Sequence, residues 1–174
     1  MKTVNPLALL LLLFLLPLHG VAVDGDRDQP IEVEADRLEV RELENISIYE
    51  GNVALIQGSL NIRSDRLIIH FNDAHELTLM EMTGQPASLR QLDNEQQEML
   101  GEALEIDYIA SESLLELRRS AFYRQAGDLI KGELIRINTD TNAIEATGKS
   151  ADERVKMVIK PRQNPTPDKP ADNN

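Results

Sequence analysis

The chain is predicted to be an all-β protein built from repeated antiparallel strands, and three observations carry that expectation. Apolar residues recur at every second position rather than at helical spacing, as in Val53, Leu55 and then Leu67, Ile69, Phe71. The alternating segments are separated by short runs of Asn, Asp, Gly and Ser, such as residues 71–74 and 138–142, which suit turns. The segments also resemble one another. Leu38, Leu67, Leu104 and Leu134 each anchor a similar phrase, at separations of 29, 37 and 30 residues. A period near 30 residues points to a stacked or coiled repeat.

Each element follows from its own pattern. Pro30 introduces residues 31–35, with Ile31, Val33 and Ala35 on one face. A proline at the first position suits an edge strand, because it has no ladder N–H to offer. Residues 35–40 form the first anchored phrase, and residues 46–53 an alternating strand that reaches Gly51 before it resumes. Residues 60–71 follow the Gly58-Ser59 break, and residues 77–87 repeat the bent pattern around Gly84. Glycine at such a point permits a bulge or a sharp bend. Residues 92–101 read as a mobile loop that lengthens the second repeat. Residues 102–108, 115–122, 132–137 and 143–149 are the later copies. A final strand is expected over residues 154–160, with Val155, Met157 and Ile159 on one face, ended by Pro161. Parity places Ile31, Val33, Val53, Leu55, Leu60, Ile62, Leu67, Ile69 and Phe71 inward. Leu77, Leu79, Ala87, Leu89, Leu104, Ile106, Tyr108, Leu115 and Leu117 continue that face.

The termini lie outside this fold. Lys2 precedes an apolar run at residues 7–18, and Gly20-Val21-Ala22 offers small residues for cleavage after Ala22. That reads as a signal peptide over residues 1–22. An uncleaved anchor is the alternative, but the run falls short of the roughly 20 apolar residues a spanning helix needs. Residues 23–29 are polar and expected to be flexible, the folded domain occupies residues 30–161, and residues 162–174 form a disordered tail. Without residues 1–22, which carry Lys2 and no acid, 17 basic and 30 acidic residues remain, a net charge of −13. An acidic domain with no basic stripe argues against nucleic acid and against adsorption to anionic membranes. There is no cysteine, so an exported domain has to rely on its own core or on neighbouring subunits.

Catalytic chemistry is thin. His70, His75 and Asp73 lie close in sequence, but nothing sets three metal ligands in a closed geometry, and solvated hairpin histidines are expected. Residues 143–150 resemble a phosphate loop without its first glycine. With acidic Ala151-Asp152-Glu153 behind them rather than a helix, they read as a strand bend. Glu32/Glu34 and Glu102/Glu105 are read as solvated faces. No enzyme, cofactor or metal is expected. What remains is the apolar interior. Either its side chains seal it, or it is a trough that accepts acyl chains at about 0.8 kcal/mol per buried methylene. Parity leaves both open.

Several phrases carry a family resemblance: Asp28-Gln29-Pro30-Ile31, Glu34-Ala35-Asp36, Tyr49-Glu50-Gly51-Asn52-Val53, Gln57-Gly58-Ser59-Leu60-Asn61-Ile62, Ser64-Asp65-Arg66-Leu67, Gly84-Gln85-Pro86-Ala87, residues 98–102, Tyr108 and residues 130–135. In that order, behind a signal peptide, the chain resembles the OstA-like family of periplasmic lipopolysaccharide transport proteins. The resemblance implies a twisted open β-jelly roll whose apolar interior receives the acyl chains of lipid A. It implies a periplasmic bridge that carries lipopolysaccharide from the inner to the outer membrane. Such domains join head to tail as homo-oligomers, between inner-membrane LptC-like and outer-membrane LptD-like proteins. Matching positions give lipid-facing roles to Ile31, Leu89 and Tyr108, with Val33, Leu55 and Ile106 as neighbours by parity. Ile31 and Val33 at one end, and Val155, Met157 and Ile159 at the other, are the expected assembly edges. Two departures stand out. Arg118-Arg119-Ser120-Ala121 replaces a glycine-containing bend, and Leu89 stands where an aromatic is expected. A membrane-anchored LptC-like scaffold of the same system is the alternative reading. An LptD-like outer-membrane domain would be expected to continue into a barrel beyond Asn174.

Overall fold

The structure, a computed structural model, describes Asp26 and residues 29–93 and 95–161. The expected signal peptide, residues 23–29 apart from Asp26 and Gln29, and the expected tail lie outside the described residues. Ten strands follow in order: β1 (Glu32–Glu34), β2 (Arg37–Arg41), β3 (Ile46–Gln57), β4 (Leu60–Phe71), β5 (Leu77–Leu92), β6 (Glu98–Ile109), β7 (Leu114–Gln125), β8 (Asp128–Asn138), β9 (Ile144–Thr147) and β10 (Lys156–Val158). They form one open antiparallel sheet in which each long strand pairs with its chain neighbour. The edges are made in pieces. β1 and β2 pair with successive parts of β3 at one end, and β9 and β10 with successive parts of β8 at the other.

The long strands are bent at one shared line. Register shifts fall at Glu50/Val53, Arg63/Arg66, Thr83/Ala87, Glu102/Glu105 and Arg118/Ala121, and these positions face one another from strand to strand. Extra residues in a ladder bend the strand and increase its twist. In β3 the bend is made by Gly51 and Asn52, at φ 79° and 47°. Left-handed backbone of this kind is where glycine carries no penalty, and a Cβ at Gly51 would overlap the Asp36 carboxylate. In β7 the same bend is made without glycine, by Arg119 and Ser120 at φ 62° and 59°. The departure from the glycine pattern therefore leaves the geometry intact.

The second half of the chain repeats the first at a spacing of 68 residues. Asn45 and Ser113, Gly51 and Arg119, Asn52 and Ser120, and Gly58 and Ala126 form left-handed pairs at that separation. Asn45 and Ser113 each close a 3-10 turn, after Glu42–Glu44 and Ala110–Glu112. Their carbonyls accept from Phe71 N at 2.9 Å and Thr139 N at 2.7 Å. The repeat expected near 30 residues is thus a hairpin, and two hairpins make the full period.

The crease folds the inner face onto itself, so one core contains Leu55, Ile62 and Ala87 from one side of the bends and Leu67, Ile106, Leu117 and Ile135 from the other. Four expectations need correction. The first strand covers Glu32–Glu34 and the last Lys156–Val158, both shorter than their alternating runs. Residues 92–101 are only in part a loop, since β5 runs to Leu92 and β6 begins at Glu98, and Asp93 Oδ1 accepts from the amides of Glu95 and Gln97 in the turn between them. The inward residues of β5 before its bend are Met80 and Met82, both buried, rather than Leu79. The irregular register at His70/Phe71 shifts the parity between Leu77, which packs on the core, and Met80. In β6 the core residue is Ala103, paired with Ala87, and Leu104 is half-buried within the shift.

Candidate functional site

The two bent halves do not close against each other everywhere. Between them lie two cavities, of about 800 Å³ and about 490 Å³. Ile62 and Leu60 enter the smaller one from beyond the bend, while Met80, Met82 and Tyr108 face them from the other half. Ile31, just before β1, lines its outer end. The larger cavity is walled by Leu115, Tyr123, Ile130 and Ile137 and reaches Ile144 and Met157 on β9 and β10. Leu89, Leu115, Gln91, Thr139 and Asp26 line both, so the cavities meet beside Leu89. The apolar interior thus extends from one broken edge of the sheet toward the other.

The rim of the larger cavity is polar. Asp26 accepts from Ser59 N at 2.8 Å, Ser59 Oγ at 2.5 Å and Gln91 Nε2 at 3.1 Å. Above all the Ser59 hydroxyl, against a smaller opposing effect of burial, holds its carboxyl below the usual range. Tyr123 donates to Gln125 Oε1 at 3.1 Å, and burial, with the nearby Asp93 charge, pushes its phenol up to about 12. No Lys or Arg is among the described residues that line either cavity.

The six residues assigned to lipid from the sequence fall into different places. Ile31 and Tyr108 line the smaller cavity and Leu89 lines both. Val33 is half-buried against the core. Leu55 and Ile106 are fully buried in the core and line neither cavity. Met80 and Met82 are wall residues that the parity reading passed over. Glu81 was the available signal, because a charge on the Leu79 parity argues that the methionines face in. The edge residues Ile31, Val155, Met157 and Ile159 are all exposed, as are Leu38, Val40 and Leu43 on and beside β2.

The remaining candidates are on the outside. His70 lies on the outer face with Nε2 2.7 Å from Glu81, paired rather than free in solvent. His75 occupies the turn at φ 60°, and Asp73 accepts from Asn45 Nδ2 at 3.0 Å. Among the described residues no group of three or more such side chains is placed to hold a metal ion. After β9 the chain bends over residues 149–153, and the described residues that follow hold β10 and no helix. Glu105 pairs with Arg118 at 3.4 Å and with Arg119. Arg118 also pairs with Asp107 and with Glu116, and Arg136 Nε donates to Glu116 at 2.6 Å. The outer face is thus a lattice of ion pairs, while the inner face is apolar.

Comparison with known proteins agrees with this geometry. Residues 32–143 match the family model described as LptA/(LptD N-terminal domain) LPS transport protein. The lipopolysaccharide export system protein LptH of Pseudomonas aeruginosa is 28% identical over 151 residues, covering 83% of this chain and 86% of that protein. LptA of Escherichia coli K12 is 27% identical over 143 residues, covering 82% and 77%. The crystal structure of P. aeruginosa LptH, the LptA-homologous periplasmic component of the lipopolysaccharide transport device, superimposes with a TM-score of 0.70 at 26% identity, over 78% of this chain and 99% of that one.

Proposed function

The chain belongs to the LptA/(LptD N-terminal domain) family of LPS transport proteins, and from that premise we propose that it carries lipopolysaccharide across the periplasm with the acyl chains of lipid A in its trough. The family works by transport rather than catalysis. The observation that supports the trough is the meeting of the two cavities beside Leu89, in an interior walled by Leu, Ile and Met from both halves of the sheet. Each methylene buried there contributes about 0.8 kcal/mol, so one long chain supplies several kcal/mol. The mostly apolar lining of the smaller cavity suits hydrocarbon, while the carboxylates of the larger one, among them Asp93, Asp128 and Asp140, with no Lys or Arg in the described lining, leave the phosphates of the head group outside.

The broken edges support a second part of the reading. Exposed apolar residues concentrate on β1–β2 and on β9–β10 with their flanks. An open strand edge pairs with another strand unless it is blocked. In this reading the domain joins head to tail with its own copies, and at the ends of the row with inner- and outer-membrane partners of similar edge geometry. Residues 1–22 direct export and are removed after Ala22.

Photocrosslinking tests the trough. A photoreactive residue at Leu89 or Tyr108 is expected to crosslink lipopolysaccharide, and one at Arg90 or Asp107 is not. Arg90 is exposed and Asp107 lies on the outer face, paired with Arg118. Crosslinks confined to the outer pair would sink the proposal.

A further inference from the structure

Three apolar rows run across the whole inner face, and each stops at both broken edges. One passes from Leu38 through Leu67, Met82, Ile106 and Leu117 to Ala146. A second runs from Val33 through Leu55, Ile62, Leu89 and Tyr123 to Met157. The third, apolar but for Ser47, goes from Val40 through Ile69, Met80 and Tyr108 to Ile144. At the edges their terminal residues are left open, with Leu38 55%, Val40 57% and Met157 53% exposed.

The internal repeat says what those edges are. β1 lies on β3 as the first part of β6 lies on β7, since Val33 faces Leu55 and, 68 residues on, Gly101 faces Tyr123. β2 lies on β3 as the second part of β6 lies on β7, with Leu38 facing Tyr49 and Ile106 facing Leu117. At the far end Met157 faces Ile130 as Leu89 faces Ile62, so β10 stands for the second part of β5. Ala146 faces Ile135 as Met82 faces Leu67, so β9 stands for the first part. One edge is therefore an unpartnered β6 and the other an unpartnered β5, the two sides of a contact the molecule already makes at its centre.

Resting on the head-to-tail reading above, we infer that a second copy docks in the β5–β6 register, with Met157 opposite Val33 of the next copy, Ala146 opposite its Leu38 and Ile144 opposite its Val40. All three apolar rows then continue into the neighbour. On the outer face Lys156 comes opposite Glu34 of the next copy, a pair of opposite charge. Glu145 comes opposite Glu39, as Glu81 stands opposite Asp107 within the chain. Arg41 at 2.7 Å and Arg37 at 3.0 Å already compensate Glu39. A slip of one residue would turn Val33 outward. A slip of two would preserve the faces but move the gaps between β1 and β2, and between β9 and β10, off the common crease.

The cysteine-free chain makes the register testable with full-length protein. Glu34, Glu32 and Lys156 are all exposed. The double variant Glu34→Cys/Lys156→Cys is expected to give a ladder of disulfide-linked dimers and longer species on oxidation. Glu32→Cys/Lys156→Cys, which samples the slip of two, is expected to give a several-fold smaller yield. An equal or larger yield from the second pair, or oligomers by light scattering with no ladder from the first, overturns the register and leaves the assembly reading standing. Monomers alone across a concentration series overturn both.

Discussion

At the scale of single residues, Glu116 shows how the outer face is held. Its carboxylate accepts from Arg136 at 2.6 Å and from Arg118 at 3.0 Å, and its side chain is only 11% exposed. The Arg136 contact, despite an opposing effect of burial, holds it below the ordinary carboxylate range. A lowered folded pKa contributes stability above the unfolded value and loses it as pH falls through the folded one. Asp107, opposite Glu116 in the ladder, has the contrary sign, because burial outweighs the Arg118 contact and raises its pKa. Its contribution grows as the solution is acidified. Glu116→Gln is therefore expected to cost about 1–2 kcal/mol at neutral pH. Thermal melts from about pH 7 down to pH 3 should show the gap to wild type closing as the native carboxylate is protonated. A gap that widens toward low pH would contradict the assignment.

At the scale of elements, the bends decide how the strands divide into two facing halves. Arg119 and Ser120 hold left-handed backbone where Gly51 and Asn52 do so in β3. Such backbone costs an L-residue about 1–2 kcal/mol, and glycine's greater loss of chain entropy offsets part of the gain from replacing it. Ser120→Gly is expected to stabilise the domain by about 0.5–1 kcal/mol, read as a higher urea midpoint at unchanged slope. Alternation, turn chemistry and the repeat were enough to place every long strand, because each strand buries one face and period two exposes that fact directly. Alternation could not show where parity breaks. The irregularity beside Phe71 shifts Leu77, Leu79 and Met80, and that between Glu102 and Glu105 puts Ala103 rather than Leu104 in the core. The short strands at the edges were overestimated because apolar alternation continues past the last residue that finds a ladder partner, as at Val155 and Ile159. An open interior is also invisible to parity. Leu55 and Leu89 both read as inward, but only Leu89 meets a cavity, since that depends on how far apart the folded halves stand.

For the whole molecule, the two edges matter more than any one pocket. Val33 is half-buried and Met157 is 53% exposed, at opposite ends of the same inward row. In the proposed assembly, an aspartate at either position would put an unpaired charge into the apolar seam between copies. Val33→Asp and Met157→Asp are each expected to shift the population toward monomer in light scattering over a concentration series. Met157→Asp should leave the melting temperature of the monomer nearly unchanged, because β10 is exposed throughout. An unaltered oligomer distribution in both variants, with partner binding intact, would count against the edges as the joint.

In the head-to-tail assembly proposed above, the unequal but matching edges have a consequence for size. A unit with one donor end and one acceptor end is a bifunctional monomer, and its growth follows the statistics of step-growth polymerisation. Length is then not written into the protein. In free solution the mean number of units rises with concentration and joint affinity, and any species that presents only one of the two edges acts as a chain stopper. If the proposed rows are capped by partners of matching edge, the number of copies in a row follows the ratio of this chain to those partners. On that proposal, raising its expression alone is expected to lengthen or multiply incomplete rows, and raising a one-edged partner to shorten them.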